Sequence, residues 1–197
     1  MRTDIVIAGV GGQGTVLASR IIARTAMEAG LPVYTSETIG MAQREGVVTS
    51  HVRFGEPLFG AVIPDHSADI LLGFELAETV RWLHKLKPGG LLVANNDRII
   101  PVSVAAGRSE YDAPTLTTHL LSQVPGAVLF DATALAARAG TPKATNIVLL
   151  GALSALPGLP FNAEELLASA LEVIPAKVHE INRRAFELGR QAMEEVS

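Results

Sequence analysis

The segment Gly9–Val10–Gly11–Gly12–Gln13–Gly14 follows directly on the apolar run Ile5–Val6–Ile7–Ala8, and an apolar pattern with helical spacing begins at Thr15. Strand, glycine turn and helix in that order leave few folds open. The glycines stand where a backbone must turn tightly and come close to whatever lies above it. The free N–H groups of the helix start, with the helix dipole behind them, attract an anion. Gly9, Gly11, Gly12, Gln13, Gly14 and Thr15 are therefore candidate binding residues, with a phosphate-bearing molecule as the expected ligand. The same pattern also serves a strand-to-helix turn that holds nothing.

Strand and helix patterns alternate beyond this point. Leu17, Ala18, Ile21, Ile22, Thr25 and Ala29 give the first helix an apolar face, with Gly30 placed to end it. Strands are predicted at Leu31–Thr35, Val47–Phe54, Asp69–Gly73, Leu91–Ala94 and Ala127–Asp131, with a weaker extended run at Ile99–Val104 that Pro101 marks as edge-like. In Val47–Phe54 the residues Val48, Val52 and Phe54 alternate with Thr49, His51 and Arg53, which predicts a half-exposed antiparallel strand. Helices are predicted at Leu76–Leu86, Pro114–Gln123 with Asp112 as a cap, and Ala132–Ala139. Further helices follow at Asn146–Leu156, Ala163–Leu171 behind an Asn162/Glu165 capping box, and Pro175–Glu195. The expected fold is one α/β domain over residues 1–197, Rossmann-like, with a mostly parallel sheet, flanking helices and a helical C-terminal tail.

Composition narrows the function. The chain is 48% hydrophobic and 18% charged with a net charge of -4, and it has no block of Lys and Arg. Nucleic acid and anionic membrane are therefore not expected partners. No apolar run approaches the ~20 residues that span a bilayer. Met1–Arg2–Thr3–Asp4 leads straight into a strand rather than a signal peptide, so a cytoplasmic protein is expected. The high apolar content points to surface covered by a partner, either another subunit or a second copy in a homodimer. The C-terminal helix carries one apolar stripe of Val178, Ile181, Ala185, Leu188, Ala192 and Met193 with Phe186 beside it, which covers either the sheet of its own domain or a partner, and the Val47–Phe54 strand is the candidate for an interface elsewhere. There is no cysteine, hence no disulfide, no thiolate nucleophile and no cysteine-held iron–sulfur cluster. Histidines 51, 66, 84, 119 and 179 form no H-E-x-x-H pair, and no metal site is expected.

A second candidate region is Ser36–Glu37–Thr38–Ile39–Gly40–Met41–Ala42–Gln43–Arg44–Glu45–Gly46, read as a loop after the second strand on the side where open α/β sheets bind ligands. Glu37 stands 23 residues after Gly14, where dinucleotide folds place a ribose-binding acid, although a solvated carboxylate fits as well. Arg44 suits a phosphate or a partner's carboxylate, or is an ordinary surface arginine. Glu75 and Asn95 each follow an apolar strand and are candidates for the same crevice. Glu75 also suits a helix start and Asn95 a turn. No Ser/His/Asp order, close carboxylate pair or G-x-S-x-G supplies catalytic machinery.

These pieces in series resemble the gamma-type subunit or domain of 2-oxoacid:ferredoxin oxidoreductases. The likeness runs through the glycine turn, Ser36–Gly46, Ser50–His51–Val52–Arg53, Leu72–Gly73–Phe74–Glu75, Pro88–Gly89–Gly90 and Asn95 with Pro101. It continues through Asn146 with Leu150–Gly151–Ala152–Leu153, and Asn182 with Ala185–Phe186 and Gly189. The G-M-A-Q-R wording is most similar to the beta subunit of the indolepyruvate branch. The acidic Glu45 beside Arg44 departs from many relatives. The resemblance implies an enzyme that oxidises a 2-oxoacid with coenzyme A and reduces ferredoxin. It places thiamine diphosphate and iron–sulfur clusters on partner subunits, and it makes coenzyme A a candidate ligand of the glycine turn. This chain would then be a required subunit, inactive alone. A reading of another class is a free-standing NAD(P) dehydrogenase with Glu37 on the ribose, which lacks a recognisable proton donor here. A third is a scaffold that docks subunits and binds nothing.

Overall fold

The computed structural model describes residues 2–40, 46–99, 104 and 111–195. Its six-stranded sheet consists of β1 (Arg2–Val10), β2 (Val33–Ile39), β3 (Val47–Gly55), β4 (Ala68–Gly73), β5 (Leu86–Asn95) and β6 (Val128–Phe130), in the order β2-β3-β1-β4-β5-β6. β1, β4, β5 and β6 pair in parallel, while β3 runs antiparallel to both β1 and β2. β3 alone is reversed, so the sheet is mostly parallel, as the sequence predicts. β1 reads as a continuous apolar run because it is buried on both faces.

Two helical layers cover the sheet. α1 (Thr15–Glu28), α4 (Ala132–Ala139), α5 (Thr145–Ser154), α6 (Ala163–Val173) and α7 (His179–Glu194) belong to one core with Ile5, Ile7, Val52, Leu72 and Val93 of the sheet. α2 (Leu76–Trp82) and α3 (Ala113–Gln123) form the other core, against Val6, Ala8, Leu71, Leu92 and Ala94.

β3 is antiparallel as its alternation predicts, but it is not half-exposed. Thr49, Ser50, His51, Val52, Arg53 and Phe54 are all buried. The connection to β4 folds back over the polar face. Arg53 Nη1 donates to the carbonyls of Gly60 (3.0 Å) and Val62 (3.3 Å), and the Ile63 N–H donates to His51 Nδ1 (3.3 Å). The Trp82 ring stands edge-on to His51. Burial, then Lys85 and Arg53 nearby, push the His51 pKa down to about 4. This strand is therefore covered by its own chain and offers no partner surface.

α5 is buried from Thr145 to Leu153, lying between the sheet layer and α7. The two helices touch backbone to backbone. A Cβ on Gly151 would lie 2.0 Å from the Phe186 oxygen, and one on Gly189 would lie 1.9 Å from the Val148 oxygen. The apolar stripe of α7 thus covers helices of its own domain: Ala185, Phe186 and Met193 are buried, and Val178, Ile181 and Leu188 pack against the same core.

Several boundaries differ from the sequence reading. β2 runs to Ile39 because each of its residues pairs with β3, so Ser36–Ile39 is strand and not loop. α2 stops at Trp82, followed by a 3-10 turn at Leu83–Lys85, and β5 begins at Leu86. The Pro175 region is a 3-10 turn ahead of α7 rather than its first turn. The Ile99–Val104 run, with Pro101, lies outside the described residues except at its two ends.

Candidate functional site

The carboxyl ends of β1, β4 and β5 meet at the glycine turn, and one carbonyl ties them together. Gln13 Nε2 (3.0 Å) and Asn95 Nδ2 (3.3 Å) both donate to Phe74 O, while the Phe74 N–H donates to Ala8 O (2.7 Å). Gln13 Oε1 accepts from the Val10 N–H at 2.9 Å. Gly9 must be glycine for this arrangement: a Cβ there would lie 2.8 Å from Gln13 Oε1, Phe74 Cβ and Thr15 Cγ2 alike. Gly14, at φ 82, is the residue before α1, and no side chain caps the helix. The first turn of α1 is left with free N–H groups, which suits an anion.

A crevice of about 260 Å³ opens beside the turn, lined by Gly12, Gln13, Asp97, Ile99, Thr133, Pro142, Lys143 and Thr145. Three helices start around it. Gly12 and Gln13 precede α1, Thr133 stands in the first turn of α4, and Thr145 opens α5. Lys143 is exposed and its ammonium has no ion-pair partner among the described residues; Asp97 is the carboxylate on the rim. Such a hollow accommodates a phosphate or diphosphate, not a whole nucleotide cofactor.

Asn95, fully buried, sits behind this wall. Its Oδ1 accepts from the Ala132 N–H (3.0 Å) at the start of α4, and its Nδ2 donates to Thr133 Oγ1 (3.1 Å). It therefore holds Thr133 in place instead of reaching into the hollow. Glu75 is also buried and caps α2: Oε2 accepts from Glu78 N at 2.9 Å and Oε1 from the Tyr111 hydroxyl at 2.5 Å. Burial, with the Glu75 carboxylate as second cause, pushes the Tyr111 hydroxyl pKa up. Both residues support the crevice from behind. Glu37 stands on the edge strand β2, where Oε1 accepts from Ser19 Oγ of α1 at 3.1 Å, and it does not line the crevice. Arg44 lies outside the described residues. Gly46, which is described, accepts from the Gly11 N–H at 2.8 Å.

The sequence reading missed Thr133, Lys143 and Thr145. Lys143 is the only basic residue between Arg138 and Lys177, which was the available signal. Nothing local places it opposite residues 12 and 13.

The architecture and its glycine turn define a gamma-type oxidoreductase subunit fold. The whole-chain comparisons agree: the family model for pyruvate ferredoxin/flavodoxin oxidoreductase matches residues 4–192, and the chain belongs to that family. It is 40% identical over 195 residues to the indolepyruvate oxidoreductase subunit IorB of Thermococcus kodakarensis, covering 98% of this chain and 96% of that one. The keto/oxoacid ferredoxin oxidoreductase gamma subunit from Geobacter sulfurreducens superposes with a TM-score of 0.70 at 26% identity, over 98% of this chain and 99% of that one. The 2-oxoglutarate:ferredoxin oxidoreductase from Magnetococcus marinus, solved with 2-oxoglutarate, coenzyme A and succinyl-CoA bound, gives a TM-score of 0.70 at 22% identity. That match takes in 100% of this chain and 32% of that one, and it speaks to the fold alone. Neither the fold nor these relatives supports a free-standing NAD(P) dehydrogenase. No described helix is long and apolar enough to cross a membrane.

Proposed function

We propose that this chain is the cluster-free small subunit of an indolepyruvate-type 2-oxoacid:ferredoxin oxidoreductase. The observation that carries the reading is the 40% identity with IorB over nearly the whole of both chains. Thiamine diphosphate and the iron–sulfur clusters then belong to a larger partner, which alone passes electrons to ferredoxin. The chain, with no cysteine in 197 residues, has no thiolate to hold a cluster.

The same reading gives the crevice a task. The diphosphate of coenzyme A docks against the free N–H groups in the first turn of α1, with Lys143 as its counter-charge and Thr133 as a hydroxyl donor. Gly9, Gln13, Glu75 and Asn95 hold the cradle in shape.

The test uses the complex reconstituted with its thiamine-binding partner, assayed by dye reduction with indolepyruvate and coenzyme A. The isolated chain is expected to be silent. Lys143→Gln should raise the KM for coenzyme A roughly tenfold, from the ~1.5 kcal/mol of one charged hydrogen bond, and leave kcat and assembly unchanged. Gly11→Val should abolish the coenzyme A response. Turnover by the chain alone would overturn the subunit reading, and an unaltered KM in both variants would remove coenzyme A from this crevice.

A further inference from the structure

The connection between β3 and β4 presents the most exposed large apolar side chain described in the protein, Phe59, with Val62 exposed close by. Phe59 is 80% and Val62 57% exposed. Residues 57–64, Pro-Leu-Phe-Gly-Ala-Val-Ile-Pro, contain no charge and are bounded by Glu56 and Asp65. An exposed phenylalanine on a loose loop would mean little. This loop is held from within.

Arg53 is buried beneath it, with its guanidinium fixed by a two-pronged pair: Nε to Asp4 Oδ1 at 2.9 Å and Nη2 to Asp4 Oδ2 at 3.0 Å. The remaining nitrogen, Nη1, faces the carbonyls of Phe59, Gly60 and Val62 at 3.5, 3.0 and 3.3 Å. Ile63 is fully buried. Its N–H donates to His51, and its carbonyl accepts from Lys85 Nζ at 3.0 Å. The backbone is thus tied down at Phe59, Gly60, Val62 and Ile63. A rigid loop that displays an aromatic residue loses little conformational freedom on docking, which is how an interface anchor is built.

We infer that Phe59 and Val62 form a preorganised knob that inserts into an apolar pocket of the larger, thiamine-binding subunit. This rests on the subunit reading above. A second copy of the chain is the weaker match to the knob. The groove of about 710 Å³ between α2 and α3 carries Arg81 and Lys87, the crevice carries Lys143, and a third hollow carries Arg2 and Lys87. An uncharged knob finds no counterpart there.

The test measures affinity for the co-produced large subunit by sedimentation or interferometry, using Phe59→Ala, Phe59→Ala/Val62→Ser and, as a control on α1, Met27→Ala. All three sites are solvent-exposed, so each variant should fold; unfolding midpoints check this. Phe59→Ala should weaken association by about 30-fold or more, the effect of losing one buried anchor. The double variant should weaken it further, and Met27→Ala should have no effect. Equal affinity of wild type and double variant would overturn the inference and leave the subunit reading intact. No association of the wild type would overturn that reading first. A wild-type homodimer dispersed by Phe59→Ala, or binding of the chain to phosphatidylcholine vesicles through Phe59, would also refute the inference by giving the knob another partner.

Discussion

Gly189→Ala offers a clean test of the α5–α7 crossing because the usual expectation has the opposite sign. Gly to Ala inside an exposed helix gains about 1 kcal/mol from propensity. Here the new Cβ would lie 1.9 Å from Val148 O, 2.8 Å from Val148 C and 3.1 Å from Ala152 N. An ordinary carbon–oxygen approach is about 3.3 Å, so the helices must part by roughly 1.4 Å. Every neighbour in the way is backbone, and no rotamer change relieves the contact. Separation also opens gaps along α5, and a gap of even ~0.5–1 Å forfeits a quarter to a half of each dispersion contact. Overpacking by side chains costs about 1–3 kcal/mol, and this case belongs at or above the upper end. After the propensity gain is deducted, the net loss is about 2–3 kcal/mol. In urea the midpoint should fall by about 1 M, and the thermal midpoint by roughly 4–12 °C. Gly151→Ala presses on the same crossing through Phe186 O, so the double variant should lose less than the sum of the two. A midpoint for Gly189→Ala equal to or above that of wild type would refute the reasoning.

Two further outcomes follow from the buried polar groups. Arg53→Ala leaves Asp4 buried with only Arg2 Nε at 3.1 Å, and urea unfolding should report a loss of about 3–5 kcal/mol; a loss under ~1 kcal/mol would show that the pair holds nothing. His51, at about 4 in the folded chain against 6.5 ordinarily, makes the unfolded state the proton-richer one between those values, so stability falls as the pH is lowered from 6.5 towards 4. His51→Gln should flatten that decline while leaving the share due to Glu28, Asp65 and Asp112, all held below the usual carboxylate range; parallel curves for the two proteins would contradict this.

The glycine turn was legible because everything that specifies it is local: an apolar strand, the glycines that avoid Gln13 and Phe74, and a helix start within a few residues. The antiparallel sense of β3 was legible from its alternation. Its position between β2 and β1 was not, because strand order depends on contacts distant in the chain. Its polar face therefore looked solvated when it is the seat of the Arg53–Asp4 pair. The spacing of Glu37 suggested a ribose partner, yet the intervening β3 sets β2 apart from β1, and Ser19 takes the carboxylate. Thr133 and Lys143 reach the turn only through tertiary packing. Likewise Gly151 and Gly189, 38 residues apart, look like helix breakers until the crossing is seen.

The burial of α5 on every side also bears on how the chain is made. Residues 145–154 are synthesised before residues 179–194, which close over them. At about 5–20 residues per second, the 40 residues between positions 154 and 194 take roughly 2–8 s to add. Throughout that interval Ile147, Val148, Leu149, Leu150 and Leu153 lack their final cover. A message broken before α7 would release a protein with an uncovered apolar rod at its centre, suited to capture by a chaperone or to aggregation. Quality control of this subunit therefore turns on whether its last long helix is present.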